Sequence, residues 1–176
     1  TLRPDSEQML ARLKELSVQP VLLTGDHEAV ANTIAAKVGM QAVRAGCLPE
    51  DKLRYIDDFQ KAGSPVCMIG DGINDAPVLA RADVGVAMGG LGSDAAIEAA
   101  DVVIMTDELS RLPLAIRIAR KTMSIAKQNI VFSIAVKVLI LALSLVTDMG
   151  LWLAVFADVG VCMLAILNSL RALRTK

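Results

Sequence analysis

Aromatic residues are scarce in this sequence. Phe, Trp and Tyr make up 3% of 176 residues, with one Trp and one Tyr. The basic residues are therefore not interleaved with stacking rings, and a nucleic-acid partner is not expected. Cysteine is also scarce. Cys47, Cys67 and Cys162 are odd in number and far apart, with no Cys-x-x-Cys pair. That argues against a disulfide framework and for a reducing compartment. His27 is the one histidine, at the start of a helix-like stretch, and no partner set surrounds it. It reads as a solvated first-turn residue rather than a metal ligand. The opening "TLRPDSEQML" lacks the apolar core of a signal peptide and lacks a starting Met, so a piece of a longer protein is expected.

Acidic residues are absent from the whole stretch between Glu108 and Asp148. Residues 1–108 hold 17 acids and 9 bases, whereas residues 109–176 hold 2 acids and 9 bases. The net charge of -1 hides that split. An acidic, water-facing half and a basic, membrane-facing half are implied. Apolar residues make up 54% of the chain and the mean hydropathy is +0.52, too apolar for an ordinary soluble domain.

The first half alternates strand-like and helix-like patterns. "DSEQMLARLKEL" places Met9, Leu10, Leu13 and Leu16 at helical spacing, with an Asp or Ser N-cap. "PVLLTGD" is a short buried strand running into a glycine turn, and "HEAVANTIAAKVG" a helix closed by Gly39. "QAVRAG" is a weak strand, and "PEDKLRYIDDFQKAG" a helix with Pro49 in its first turn. "PVCMIGD" repeats the strand-to-turn pattern before the helix "INDAPVLARA". "DVGVAM" and "DVVIM" are further strands around "GSDAAIEAA". Such alternation predicts a parallel α/β sheet. Cys47 falls in a loop and Cys67 at a core strand position.

After Ser110 the pattern changes. "SRLPLAIRIARKTMSIAKQ" is a basic amphipathic helix carrying Arg111, Arg117, Arg120, Lys121 and Lys127. Two apolar runs follow, "NIVFSIAVKVLILALSLV" and "LWLAVFADVGVCMLAILNSL", around the turn "TDMG". Each run can cross a hydrocarbon core of about 30 Å at ~1.5 Å per residue. Basic residues flank both outer ends, so both termini are expected in the cytoplasm. The expected divisions are a cytoplasmic domain over 1–109, a juxtamembrane helix over 110–128, two membrane helices over 129–170 with an outer turn near 147–150, and a tail over 171–176.

Ligands of a parallel sheet bind beyond the carboxyl ends of its strands. Thr24, Gly25, Asp26 and Asp71 stand there. A carboxylate such as Asp71 suits Mg²⁺, and Gly70 and Gly72 permit close backbone approach. Asn74 and Asp75 can hold the loop and the metal's waters. Lys52 can present positive charge to a phosphoryl group, and the Thr24 hydroxyl can donate to a phosphoryl oxygen. Together these residues make a phosphoryl-transfer set. Lys137 and Asp158 are ionisable groups inside apolar runs, where such groups are functional candidates or a structural ion pair. Counting back from the turn, they lie roughly 15 Å and 12 Å deep, so they can meet. Cys162 lies four residues after Asp158 on the same helical face and can pack or act as a soft ligand, packing being the commoner use. The small residues Ala154, Asp158, Cys162, Ala165 and Ser169 form a stripe suited to close helix packing.

In order and spacing, "LLTGD", "PEDK" and "IGDGINDAPVLARADVGVAMG" resemble the phosphorylation domain of P-type cation-transporting ATPases, which have the haloacid-dehalogenase fold. "KQNIVFSIAVK" and "FADVGVCMLAILNSLR" resemble the last two membrane helices of the heavy-metal members of that family, with Lys137 and Asp158-Val159-Gly160 as in the zinc, cadmium and lead exporters. The resemblance implies that Asp71 binds Mg²⁺ with Asn74 and Asp75 in support. It implies that Thr24 and Lys52 contact the phosphoryl group and that Gly25 and Asp26 share the active-site loop. It further implies ATP as substrate of the whole pump and Zn²⁺, Cd²⁺ or Pb²⁺ as cargo. Asp158 becomes a ligand of the transported cation and Lys137 its counter-ion, in a bacterial inner membrane. The implied partners are the lipid bilayer, the nucleotide and actuator domains and the other membrane helices.

The Asp-Lys-Thr-Gly-Thr stretch of that family is not found before Thr24. The fold implied is thus a partial haloacid-dehalogenase-like parallel sheet without its nucleophile strand, followed by a transmembrane α-helical hairpin. This chain alone is expected to be inactive. Its sheet should be loosely packed, or closed by a non-standard pairing. Two other readings stay open: a membrane-anchored phosphatase of the same fold, and a non-catalytic membrane protein that binds a partner pump.

Overall fold

Strands and helices alternate through the first half of the chain, as the glycine turns and apolar runs require. The computed structural model describes residues 5–90, 93–106, 108–146 and 151–174. Within them run α1 (Ser6–Glu15), β1 (Val21–Leu23), α2 (Glu28–Lys37), β2 (Ala42–Arg44), α3 (Pro49–Lys61) and β3 (Cys67–Gly70). A single 3-10 turn, Ile73–Asp75, leads into α4 (Ala76–Arg81). Then come β4 (Val84–Met88), α5 (Asp94–Ala99), β5 (Val102–Ile104), α6 (Arg111–Val146), α7 (Leu151–Ser169) and a terminal 3-10 segment, Leu170–Arg174. The chain divides into two units, Thr1–Pro113 and Leu114–Lys176.

In the first unit, α1 buries Met9, Leu10 and Leu13, the face its spacing predicts. Asp5 does not cap α1 with its side chain. Its carboxylate instead accepts the Ser110 N–H at 3.0 Å, just before α6 begins, so the N-cap expectation is corrected there. Helices α2 and α3 end where Gly39 and Gly63 turn to φ +67° and +77°. The left-handed turn lets Met40 and Ser64 donate back to Ala35 and Phe59 at 2.9 and 3.0 Å. Pro49 opens α3, and the Asp51 carboxylate accepts the Leu48 N–H at 3.0 Å.

All strand pairings are parallel, but they form two sheets among the described residues. One is β1-β2 and the other β3-β4-β5. β1 and β3 do not pair with each other, so no alternative pairing closes the gap. Packing follows pairing. β4, with a neighbour on each side, buries Val86, Ala87 and Met88, whereas no residue of β1 or β3 is fully buried. The core gathers where the three-stranded sheet meets its helices, around Leu79, Ala87 and Ala96. The core expectation for Cys67 is reversed for the same reason, while Cys47 lies in a loop as expected. Cys47, in a loop, is buried, with its thiol 3.3 Å from the Arg44 carbonyl. Cys67 is exposed on a strand paired along one edge only.

In the second unit, the basic stretch and the first apolar run form one uninterrupted helix, α6, of 36 residues. Pro113 lies in its first turn, where no intrahelical N–H is lost, and neither Pro nor Gly follows before Val146. Among the described residues, α6 is the one helix long and apolar enough to cross a membrane. α7 is a helix of 19 residues that runs antiparallel to α6, since Lys137 meets Asp158 while Asn129 meets Ala165 and Ser169. The turn at 147–150 lies outside the described residues.

Candidate functional site

The carboxyl end of β3 is the focus of the first unit. After Gly70 the chain makes a tight turn because the next residues fold back as a 3-10 turn, with Asp75 N–H donating to the Gly72 carbonyl at 3.0 Å. This brings the Asp75 side chain against Gly70. A Cβ at position 70 would stand 2.7 Å from the Asp75 Cβ. Gly70 thus allows close approach, as expected, but of a side chain rather than of a ligand. Across from it, α3 presents Lys52 from its first turn. The Lys52 ammonium lies 2.8 Å from Asp75 Oδ1, and both side chains are largely shielded from solvent.

A cavity of about 210 Å³ opens at this point, lined by Lys52, Asp71, Asp75, Gly70 and the apolar Met68 and Met88, among others. Leu23, at the end of β1, also lines it, so the ends of both sheets face one crevice. Of the expected site residues, Lys52, Asp71 and Asp75 are brought together. Thr24, Gly25, Asp26 and Asn74 do not line this cavity. Thr24 holds its own loop: its hydroxyl accepts the Asp26 N–H at 3.1 Å. The loop is tied to its neighbour by Cys47 N–H to the Thr24 carbonyl at 2.9 Å and Gly46 N–H to the Asp26 carbonyl at 2.8 Å. Asn74 is exposed. Met68 and Met88 were not singled out in the sequence. The signal was available, since both stand near the carboxyl ends of parallel strands.

Mg²⁺ typically takes one or two carboxylates and completes its shell with water and phosphate oxygens. Asp71 is exposed, and its backbone carbonyl is fixed by the Ser93 N–H at 3.1 Å. Its carboxylate makes no hydrogen bond or ion pair among the described residues. One outward carboxylate beside a Lys-paired second one fits part of a Mg²⁺ shell. No group of three His, Cys, Asp or Glu able to enclose a metal occurs among the described residues.

The second unit holds the other candidate pair. Lys137 Nζ lies 3.0 Å from Asp158 Oδ1. Toward the N-terminal part of α6, Asn129 donates to the Ala165 carbonyl at 3.1 Å and to Ser169 Oγ at 3.0 Å. Asn168 donates to Asn129 Oδ1 at 2.8 Å. This amide cluster was missed in the sequence, although Ala165 and Ser169 stood in the small-residue stripe. Cys162, from the same stripe, is exposed.

A model of haloacid dehalogenase-like hydrolases matches residues 1–83. A cobalt-bound deoxy-D-mannose-octulosonate 8-phosphate phosphatase from Haemophilus influenzae superposes on 65% of the chain and 72% of its own, with TM-score 0.55 and 20% identity, which shows a shared fold. The chain is 45% identical, over 99% of its length, to a cadmium-transporting ATPase of Staphylococcus aureus. It is 51% identical, over 97% of its length, to a zinc-transporting ATPase of Synechocystis. It spans 24% of the length of each of these relatives. A crystal structure of a zinc-transporting PIB-type ATPase in an E2.Pi state matches 99% of the chain and 28% of its own, with TM-score 0.94 and 41% identity. On these matches, and with a haloacid dehalogenase-like parallel sheet followed by an apolar helix of membrane-spanning length, the chain belongs to the heavy-metal P-type ATPases.

Proposed function

We propose that this chain is part of an ATP-driven exporter of soft divalent cations of the zinc, cadmium and lead class, in a bacterial plasma membrane. The observation that carries this reading is the Lys137–Asp158 ion pair at 3.0 Å between two apolar helices. In hydrocarbon either charge alone is costly, so the two are held as a pair until something competes for the carboxylate. A divalent cation does so. Asp158 is then a ligand of the cargo, and Lys137 takes the carboxylate back once the cargo leaves. α6 and α7 form the membrane hairpin, with the outer turn near 147–150 and both chain ends in the cytoplasm. Residues 1–109 act as the cytoplasmic phosphorylation domain, 110–128 as the juxtamembrane part of α6, 129–170 as the spans and 171–176 as the tail.

At the cytoplasmic site Asp71 holds Mg²⁺, which when bound neutralises charge on the transferring phosphoryl group. Lys52 faces the same group, and Asp75 fixes where its ammonium points. Thr24 donates its hydroxyl to a phosphoryl oxygen, with Gly25 and Asp26 shaping the loop and Asn74 supporting the turn. The unpaired edges of β1 and β3 suit one further parallel strand, supplied from elsewhere in the protein with its phosphorylated Asp. The nucleotide and actuator domains are the remaining partners.

The test uses the full-length protein in vesicles. Asp158→Ala should abolish zinc-stimulated ATP hydrolysis, and Asp71→Asn should abolish Mg²⁺-dependent phosphorylation while the hairpin still inserts. Normal zinc export by Asp158→Ala sinks the transport reading. Phosphoester hydrolysis by the 176-residue chain alone would favour a phosphatase instead.

A further inference from the structure

The Lys137–Asp158 pair has a geometric weakness. A lysine ammonium sits on a flexible four-carbon stem and follows its partner over several ångströms. Such a pair tolerates sliding of one helix along the other. On the reading above, the pair also opens each time a cation takes Asp158. Something else must then hold α6 against α7 at a fixed level.

Asn129 has the required properties. It stands two turns from Lys137 on the same side of α6, with Ser133 between them. Its side chain is short, with two rotatable bonds. Its amide nitrogen donates to the Ala165 carbonyl, which is part of the α7 backbone, and to Ser169 Oγ. Its oxygen accepts from Asn168 Nδ2 at 2.8 Å. The acceptors are themselves held. Ser169 Oγ donates to the Ala165 carbonyl at 2.9 Å, and Asn168 Oδ1 accepts from Arg171 Nη1 at 2.9 Å. Every polar atom of the Asn129 amide is therefore engaged by α7, and sliding by one residue breaks all three bonds at once. The cluster carries no carboxylate, so an arriving cation does not compete for it.

We propose that Asn129 is a positioning residue for the cation site. Its amide locks the α6–α7 register, so Asp158 can exchange Lys137 for the cation and return without the helices slipping. The inference rests on reading Lys137 and Asp158 as the cation site, but the register it describes can be measured separately. In this antiparallel pair, Ser133 and Cys162 fall at the level midway between the amide cluster and the ion pair.

The experiment uses the full-length protein with Ser133→Cys and the native Cys162, bridged by a short bifunctional thiol reagent with and without zinc. Cross-linking is expected with Asn129 present, to the same extent with zinc bound and in a Lys137→Ala background. With Asn129→Ala added, zinc or Lys137→Ala should cut cross-linking severalfold. In parallel, Asn129→Ala in the protein retaining Ser133 should raise the zinc concentration for half-maximal ATP hydrolysis by about three- to tenfold, the range set by membrane hydrogen bonds. Partial misfolding would lower kcat and leave that concentration unmoved. Where Asn129→Ala does not accumulate, Ser169→Ala removes one acceptor and should move both readouts the same way, by less.

Three results would overturn the proposal. One is no cross-link in the protein with Asn129 intact. Another is a cross-link lost on Lys137→Ala alone, since the ion pair would then set the register. The third is an unchanged cross-link and zinc dependence when the amide contacts are removed. Normal zinc stimulation in Asp158→Ala would instead overturn the cation-site reading and leave the register result standing.

Discussion

The Lys52 ammonium lies 2.8 Å from Asp75 Oδ1, and that contact ties the first turn of α3 to the turn that leaves β3. The two residues are 23 positions apart. The pair fixes the Lys52 ammonium in the crevice beside the exposed carboxylate of Asp71.

Lys52→Met should therefore act in two ways. If Lys52 faces the phosphoryl group as proposed, the substitution should slow phosphorylation in the full-length protein by roughly 10²–10³-fold. In the 176-residue chain it leaves Asp75 without its charged partner and should cost about 1.5–3 kcal/mol in urea unfolding. Adding Asp75→Asn to Lys52→Met should cost less than the sum of the single changes. Additive costs would show that the contact contributes nothing.

Gly70 and Gly85 should respond differently to alanine, although each new Cβ would meet an atom at 2.7 Å. At position 85 the obstacle is the Leu79 carbonyl oxygen, part of the α4 backbone. Gly85→Ala should destabilise the chain by about 1–3 kcal/mol. At position 70 the obstacle is the Asp75 Cβ, which the backbone of the turn holds in place and no side-chain rotation removes. Gly70→Ala should also cost stability, because the turn must shift, and it should carry Asp75 off Lys52, so that phosphorylation in the full-length protein falls as well. Thermal unfolding and phosphorylation of the two variants check the contrast.

Asp83 gives the chain an acid-side weakness. Its carboxyl is held below the ordinary value of 3.8, first by the Val66 backbone N–H and then by the Gln60 side chain. Those contacts measure 2.8 and 3.1 Å. A carboxylate lowered on folding stabilises the folded state fully above its unfolded value, and the contribution disappears as pH falls through the lowered value. The urea midpoint should drop below about pH 4, the ordinary carboxylate range, and Asp83→Asn should lose that part of the acid dependence. A variant with an unchanged acid limb would show that Asp83 does not contribute to it.

The 176-residue chain, purified alone, should form no acid-stable phosphoenzyme from labelled ATP. Of the crevice residues, Lys52, Asp71 and Asp75 can bind and orient, and Asp75 is engaged by Lys52. Label retained on the protein after acid precipitation would overturn this.

The local order of elements was legible in the sequence because local chemistry sets it. Gly39 and Gly63 stop helices by adopting positive φ, Pro49 opens α3, and Met9, Leu10 and Leu13 mark the buried face of α1 by their spacing. The apolar length of α6 was legible for the same reason; of the residues expected at the strand ends, Asp71 lines the crevice while Thr24, Gly25 and Asp26 do not.

What the sequence could not show was which groups end up in contact across the fold. Asp5 accepts from Ser110 rather than capping α1 because a carboxylate takes whichever donor the fold delivers. Cys67 is exposed because burial in a sheet depends on the strands alongside, and β3 has one neighbour where β4 has two. Spacing placed Lys137 and Asp158 at similar depths, but only the packing of α7 against α6 gave them 3.0 Å of separation and engaged all of Asn129's amide. Helical periodicity tells which residues share a face. Which face meets which, and at what level, is settled by hydrogen bonds and close contacts between residues tens of positions apart.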